Sequence, residues 1–455
     1  MTAATTGSSP RRVLFLQGPP SVFWSGLGDA FAAAGHTVLR INLSLADVLF
    51  WRRKGAVSFR GRFEDWPAYV AGFMRDHAIT DVLYYGDRQP YHRVASQAAR
   101  KLGAVPVSVE FGYLRPDWLT VERGGMGVFS HFPEDPAAIR AIAASVPQPD
   151  TAVAYPYSFS AEAFGEVTFN MANVLGSLAF PSYRSDKYYN PVVEYLAWIP
   201  RLLRHRIAAH HARQVEAEVT SGGHVYWLCA LQLQSDYQIR QNSHFGHISE
   251  MIDEVVASFA AHAPAGGRLI FKQHPLDNGL NRWPRVVHAA ALRHGCADRV
   301  TLIDGGDLGR LLEGARGCVL VNSTVGLHAI RVGCPTKVLG IAVFDIAGLT
   351  HQASLDTFWT SPEPVDAGLA TDFVRALAGT IQVKGSFYHL AGQRAGQAEI
   401  VRRVAGQTVN EPGAFVDPPP RLARAIRTGV PVVGEEPAPQ ASAVDVSVTG
   451  PSARP

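Results

Sequence analysis

The feature that most constrains the fold is an alternation of short apolar runs and helical segments, which occurs twice along the chain. In the first half, apolar runs at residues 12–18, 38–42, 81–85 and 105–109 are separated by segments of helical period. A second series of the same kind begins near residue 224. This β-α-β spacing predicts parallel sheets with right-handed crossovers. We therefore expect an α/β protein with two Rossmann-like, doubly wound domains.

The length and the local composition predict where these domains begin and end. At 455 residues the chain is too long for one ordinary core. The last residues are rich in Pro and Ala with few large side chains, which is typical of disorder. The predicted divisions are a flexible N-terminus at 1–10, an N-terminal α/β domain at 11–178, a basic and aromatic helical linker at 179–220, a C-terminal α/β domain at 221–365, C-terminal helices at 366–430 and a disordered tail at 431–455.

The linker at 179–220 has two interpretations. Its many Arg, His, Tyr and Trp residues, interleaved with Leu and Ile, are typical of a solvated helix between two domains. The same pattern is typical of a helix that docks on an anionic membrane surface.

Several classes of protein do not fit this sequence. The net charge of +3 is too small to favour nucleic-acid binding, and the four cysteines form no C-x-x-C pair. No segment approaches the roughly 20 apolar residues of a membrane span, and the N-terminus lacks a signal-peptide pattern. No D-x-D sequence follows a strand, and G-x-G-x-x-G is absent. We expect a cytoplasmic protein without a metal or a bound cofactor.

Two predicted strand ends carry groups that suit an anion. Lys272 and His274 follow the apolar run 268–271, and a Ser- and Thr-containing helix start follows the run 319–321. Open α/β sheets bind ligands at the carboxyl ends of their strands, and helix N-termini attract phosphate. The two stretches are therefore predicted to form one anion site, although His274 is also a candidate for a purely structural histidine.

Five short motifs, in order across both predicted domains, resemble a known family. Glu110 opens a Glu-x-Gly-x-x-Arg-Pro stretch within 110–125, which we expect to be a functional loop because of its Gly, polar and aromatic content. It is followed by Thr-x-Glu-x-Gly-Gly, Leu-Gln-x-x-x-Asp, Lys-Gln-His-Pro and Asn-Ser-Thr-x-Gly. From about residue 12 to 365 the chain resembles the bacterial capsular polysaccharide biosynthesis and export proteins of the KpsS and LipB kind, related to the KpsC proteins.

This resemblance implies a GT-B-like glycosyltransferase that acts as a retaining β-Kdo transferase. Such enzymes transfer Kdo from CMP-Kdo to a phosphatidylglycerol-type lipid. The implied partners are the CMP-sugar donor, the lipid acceptor, the inner-membrane surface and the capsule assembly and export complex. The implied location is cytoplasmic and peripheral at the inner membrane.

The resemblance also implies roles for individual residues. It makes Asp236 the nucleophile and Glu110 the acid/base group, as double displacement requires. The residues implied for CMP binding are Lys272, His274, Pro275, Asn322, Ser323 and Thr324. Those considered for the sugar or the acceptor are Arg115, Glu122, Gln234 and Arg240.

Other roles for these residues stay open. Asp236 is also a candidate helix N-cap, and Glu110 is a candidate for a simple ion pair with Arg115. Phe111 stands where relatives often carry a second acid, so Glu122 and Asp117 are rivals for the acid/base role. Arg115 and Arg240 suit a sugar carboxylate but can also brace loops.

Two alternative functions also fit the sequence. One is a transferase of the same architecture that uses another CMP- or UDP-activated sugar. The other is a non-catalytic export or scaffold protein that binds the capsule glycolipid.

Overall fold

A computed structural model describes residues 9–221 and 223–432. The predicted flexible N-terminus and the predicted disordered tail lie mostly outside these residues. The strands are β1 (Arg12–Phe15), β2 (Thr37–Asn42), β3 (Val57–Ser58), β4 (Asp81–Tyr85), β5 (Val105–Phe111), β6 (Trp118–Arg123), β7 (Tyr226–Ala230), β8 (Arg268–Lys272), β9 (Val300–Ile303), β10 (Gly317–Leu320), β11 (Thr336–Val338) and β12 (Gln382–Lys384).

Helices separate most of these strands, as the alternation predicts. Their bounds are α1 (Phe23–Ala33), α2 (Leu45–Phe50), α3 (Trp66–Asp76), α4 (Pro90–Lys101), α5 (Pro136–Ser145), α6 (Phe159–Leu175), α7 (Pro191–Thr220), α8 (Tyr237–Gln241), α9 (Ile248–His262), α10 (Trp283–Arg293), α11 (Leu308–Gly314), α12 (Val325–Arg331), α13 (Leu355–Phe358), α14 (Ala367–Thr380), α15 (Leu390–Ala405) and α16 (Leu422–Arg427).

The strand order confirms the predicted fold class. The first sheet contains the parallel strands in the order β3-β2-β1-β4-β5, and the second runs β9-β8-β7-β10-β11. Both are doubly wound orders: the strands that follow the first strand are added on one side of it, and the later strands are added on its other side. The central strands of both sheets are buried on both faces, which explains their continuous apolar runs.

The first sheet continues beyond β5 with two antiparallel strands that local sequence does not predict. Half of the stretch 110–125, predicted to be a loop, is strand: β6 pairs antiparallel with β5, and Glu110 lies opposite Thr120. The segment 366–430, predicted as helices only, adds β12 antiparallel to β6. A three-residue strand has too little period to show in sequence, and only pairing with β6 defines it.

The C-terminal segment ties the two domains together. Arg421 is fully buried and donates to the carbonyl oxygens of Phe132 and Pro133 on one side and of Ala342 and Val343 on the other. A buried guanidinium is tolerated only when its donors are satisfied, as they are here. Arg421 therefore links segments that follow the strands of both sheets.

No helix among the described residues is both long and apolar enough to span a membrane. All four cysteines are buried and free. Within the same residues, no group of three or more His, Cys, Asp or Glu side chains could hold a metal ion.

Candidate active site

The candidate site lies where the carboxyl ends of β7, β8 and β10 meet. These three strands are adjacent and parallel in the second sheet, with β7 in the centre. The sheet reverses its order between β7 and β10, and a crevice forms at such a point. The loop that leads to Asp236 follows β7, His274 follows β8, and Asn322 follows β10. The three motifs that are distant in sequence therefore share one edge.

A tyrosine hydroxyl joins this edge to the first domain. Tyr237 begins α8, and its hydroxyl donates a hydrogen bond to Oε2 of Glu110 at the end of β5. Nearby, Nε of Arg88 donates to Oε1 of Gln241 at 2.8 Å. The strand ends of the two domains thus face each other across α8, with Glu110 and Asp236 contributed from opposite sides.

The two candidate carboxyl groups have shifted protonation equilibria. Burial raises the pKa of Glu110 to about 8; the hydrogen bond from Tyr237 opposes the rise, and the charge of Asp236 adds to it. Burial also raises the pKa of Asp236, while the Gln238 N–H and the charge of Arg115 oppose that rise. At neutral pH Glu110 therefore mostly holds its proton.

Asp236 combines two of the roles that the sequence left open. Its Oδ1 accepts from the Gln238 N–H at 2.9 Å and caps α8. The same carboxylate lies close enough to Glu110 to raise its pKa. The Gln238 N–H and the Gln232 side chain both stabilise this carboxylate, and a helix cap that orients it is compatible with a chemical role.

Asn322 holds α8 in place. Its Nδ2 donates to the carbonyl oxygens of Gln238 and Asn242 at 2.9 and 3.2 Å, and its Oδ1 accepts from Gln232 at 2.8 Å. The backbone N–H of Asn322 donates to Gln232 Oε1 at 3.0 Å. These contacts use both amide protons of Asn322, so it positions the Asp236 loop and has no donor left for a ligand.

His274 is a neutral imidazole surrounded by cations. Burial lowers its pKa to about 4, and the positive charges of Arg115, Arg201 and Lys272 act in the same direction. Its Nδ1 accepts from the Leu276 N–H at 3.0 Å, which leaves the proton on Nε2. The positive charges of Arg115 and Lys272 favour an anion at this strand end, while Arg201 is paired with Asp304 and the carboxylates of Asp304, Glu216 and Asp307 act on Lys272.

Arg115 connects the anion site to the carboxyl pair. It is exposed, and its guanidinium lies 4.6 Å from the centre of the Phe111 ring. Its charge lowers the pKa of His274, of Glu110 and of Asp236. A single exposed cation therefore acts on residues from both domains.

The remaining residues predicted for donor binding lie around this cation cluster. Burial lowers the pKa of Lys272, while the charges of Asp304, Glu216 and Asp307 oppose the change. Ser323 and Thr324 are half-buried at the start of α12, where Ser323 Oγ accepts from the Val325 N–H at 3.2 Å. Pro275 is exposed. Both hydroxyls keep hydrogen-bonding capacity for a ligand.

Three of the residues considered for binding the sugar or the acceptor make structural contacts instead. Glu122 is fully buried on β6, where Ser130 donates to it at 2.5 Å, so it reaches no ligand. Gln234 is also buried and fixes the start of α9 through the Ile248 N–H at 2.8 Å. Arg240 lies 3.8 Å from Asp186, as a loop brace does. Only Arg115 of this group faces both halves of the site.

Sequence reasoning missed Tyr237 and Arg201. Tyr237 directly follows Asp236, but its contact with Glu110 spans 127 positions. The sequence pattern indicates only that Arg201 belongs to the basic linker. In the structure it donates to the His274 carbonyl at 3.3 Å and pairs with Asp304 at 2.8 Å. No local pattern marks either residue, because both contacts join distant segments.

The chain also matches known proteins. The family described as "Capsule polysaccharide biosynthesis protein" has a model that matches residues 80–388, more than half of the chain. The chain is 28% identical to the capsule polysaccharide export protein KpsS of Escherichia coli, over 85% of this chain and 99% of that protein. It is 28% identical to the capsule polysaccharide modification protein LipB of Neisseria meningitidis serogroup B, over 84% and 92%. Among solved structures, the β-Kdo 2,7 transferase of Thermosulfurimonas dismutans KpsC aligns with 86% of this chain and 99% of its own, at 13% identity and a TM-score of 0.41.

Proposed function

The chain belongs to the capsule polysaccharide biosynthesis family, and we propose that it is a retaining glycosyltransferase of capsule synthesis. Its donor is CMP-Kdo and its acceptor is a phosphatidylglycerol-type lipid at the cytoplasmic face of the inner membrane. The donor identity rests on the motif resemblance, above all on the Lys-Gln-His-Pro and Asn-Ser-Thr stretches. No metal or cofactor takes part in the scheme.

The observation that carries the proposal is the pair of carboxyl groups beside a cation cluster. Glu110 and Asp236 come from opposite domains, the charge of Asp236 raises the pKa of Glu110, and Tyr237 links the two sides. Double displacement needs one carboxylate to attack the anomeric carbon and a second group to move protons. Asp236 takes the first role, and Glu110, whose raised pKa keeps its proton at neutral pH, takes the second.

In the first step, the Asp236 carboxylate attacks the anomeric carbon, and the bond from that carbon to the phosphate oxygen breaks. Glu110, protonated at neutral pH, gives its proton to the departing phosphate. In the second step, the Glu110 carboxylate removes the proton of the acceptor hydroxyl, whose oxygen displaces Asp236. Two inversions give overall retention, and Glu110 ends protonated as it began.

The leaving phosphate is held by the groups around His274. Its Nε2–H donates to a phosphate oxygen, and the charges of Arg115 and Lys272 stabilise the negative charge that develops as CMP leaves. Ser323 and Thr324 offer hydroxyl groups to the same phosphate. The sugar carboxylate lies within reach of Arg115, whose planar guanidinium suits bidentate contact.

The direct test is incubation of the purified chain with CMP-Kdo and a phosphatidylglycerol acceptor, followed by detection of CMP and of the glycolipid. The proposal requires both products and the β configuration at the new bond. Product formed only from another nucleotide sugar would favour the alternative donor. Failure to bind any nucleotide sugar would favour the non-catalytic scaffold instead.

Replacing Tyr237 by phenylalanine should change the pH profile of transfer. The Tyr237 hydroxyl stabilises ionised Glu110, so its loss raises the pKa of that carboxyl further. If protonated Glu110 limits the rate, activity of the native protein declines as the pH rises through about 8. In Tyr237→Phe the decline should occur at higher pH. An unchanged profile, measured as kcat/KM against pH, would show that this hydrogen bond does not tune the reacting group.

Replacing Arg115 by glutamine should weaken CMP binding by about 10- to 100-fold, because a charge-assisted contact contributes roughly 1.5–3 kcal/mol. Isothermal titration with CMP gives the affinity directly. Arg75→Gln, at an exposed position of α3, serves as the matched control and should bind CMP normally. Equal affinity of the two variants would remove Arg115 from the donor site. The His274 proton signal offers a second measurement, since a bound anion should raise its pKa from about 4.

A further inference from the structure

The long helix α7 presents an apolar stripe to solvent. Its members are spaced three or four positions apart and therefore lie on one face of the helix. They are 45% to 80% exposed, and the stripe consists of Val192, Leu196, Ile199, Leu203 and Ile207. Single exposed apolar residues are ordinary, but a continuous helical stripe of them marks a contact surface.

The opposite face of α7 is fixed to the protein beside the candidate active site. Arg201 on that face donates to the His274 carbonyl and pairs with Asp304. About two turns earlier, Glu194 accepts from Asn278 at 3.2 Å, and further on Glu216 accepts from the Asp307 N–H at 2.8 Å. The helix is thus held in one rotation, and the apolar stripe cannot turn inward without breaking these contacts.

Cations flank the stripe on both sides. At 100° per residue, Arg206 and Arg213 fall on one side of Leu203, and Arg204 and His211 fall on the other. The only acidic residue between 191 and 213 is Glu194, on the inner face. An outward face with apolar residues in the middle and arginines at its edges fits the boundary between lipid headgroups and acyl chains, because the arginine side chains can extend to the phosphates.

We propose that this outward face of α7 docks the protein on an anionic lipid bilayer. The inference extends the proposed function, since the acceptor there is a membrane lipid. Docking through α7 sets the candidate site close to the headgroups, because Arg201 on the inner face touches the strand end that carries His274. The alternative of a solvated linker leaves the stripe without a partner.

The test is co-flotation of the full-length chain with phosphatidylcholine vesicles, with and without phosphatidylglycerol. We expect binding that requires phosphatidylglycerol and weakens as salt is raised. The double variant Leu203→Glu/Ile207→Glu should lose at least about tenfold in affinity, because it places two charges in the apolar boundary. Arg204→Gln/Arg206→Gln should lose about 25-fold in affinity for anionic vesicles, at roughly fivefold for each cation.

Leu292→Glu provides the control, since this exposed leucine of α10 lies outside α7. It should bind vesicles like the native chain, and circular dichroism checks that all variants fold. Undiminished vesicle binding of the α7 variants would overturn the proposal. So would a dimer that forms without vesicles and disappears in Leu203→Glu/Ile207→Glu, which would assign the stripe to a second copy of the chain.

Vesicle binding is measured without a sugar donor, so it stands apart from the proposed chemistry. If the chain docks through α7 but transfers no sugar, only the proposed function fails. If it transfers sugar to a short-chain, water-soluble acceptor but ignores vesicles, only the docking inference fails. Both α7 variants should keep transfer to the short-chain acceptor.

Discussion

Replacement of Asp236 by asparagine is expected to abolish sugar transfer while leaving the fold unchanged. Asparagine is as good an N-cap as aspartate, so it can still accept from the Gln238 N–H and hold α8. It cannot form the covalent bond to the anomeric carbon. The rate should fall on the order of 10⁴-fold or more, as when other enzymes lose their nucleophile. The measurement is CMP release and glycolipid formation under saturating donor.

The control for this variant is Asp135→Asn. Asp135 caps α5 through the N–H groups of Ala137 and Ala138, away from the candidate site. Both variants should unfold at nearly the native temperature, and both should bind CMP. Transfer at the native rate by Asp236→Asn would reduce Asp236 to a helix cap and refute the double-displacement scheme.

Replacement of Glu110 by glutamine should lower the rate of transfer by about 10²- to 10⁴-fold, the usual contribution of acid/base catalysis. Glutamine can still accept the Tyr237 hydroxyl but cannot exchange a proton. Because CMP is a good leaving group, the second step should suffer more than the first. Intact-protein mass spectrometry is then expected to detect a chain that carries one sugar on Asp236.

Glu122→Gln is the matched comparison. Burial raises the pKa of Glu122 to about 8, as it does for Glu110, but Glu122 is inaccessible and hydrogen-bonded to Ser130. Its loss should change transfer by no more than a few-fold. Equal loss of activity in the two variants would mean that the Glu110 effect is structural. If only Glu122→Gln lost transfer activity, the acid/base role would belong to Glu122 itself or to a group that β6 positions.

Much of the fold follows from local sequence. The apolar runs at 81–85 and 300–303 coincide with β4 and β9, and the helical segment from 248 begins where α9 begins. Parallel strands buried on both faces leave long apolar runs, which any window of sequence reveals. The strand order follows the doubly wound rule, so the edge shared by the Asp236, His274 and Asn322 stretches was also predictable.

The individual roles within that edge were less predictable. Sequence grouped Asn322 with the donor-binding residues, but the structure commits its side-chain amide to Gln232, Gln238 and Asn242. Glu122 belongs to a recognisable motif, yet β6 turns its side chain into the interior. A motif identifies which residues cluster, whereas side-chain direction depends on the strand and its register.

The sequence by itself determined two doubly wound domains, the strand ends at which polar groups collect, and the basic character of the linker. Only the tertiary structure decided that Tyr237 contacts Glu110, that Arg115 acts on both domains, and that α7 turns its apolar stripe outward. The physical reason is the sequence separation between the residues that determine each feature. Backbone pattern and hydrophobic period are encoded over a few neighbouring residues, while a hydrogen bond or a helix rotation is fixed by partners that lie tens to hundreds of positions away.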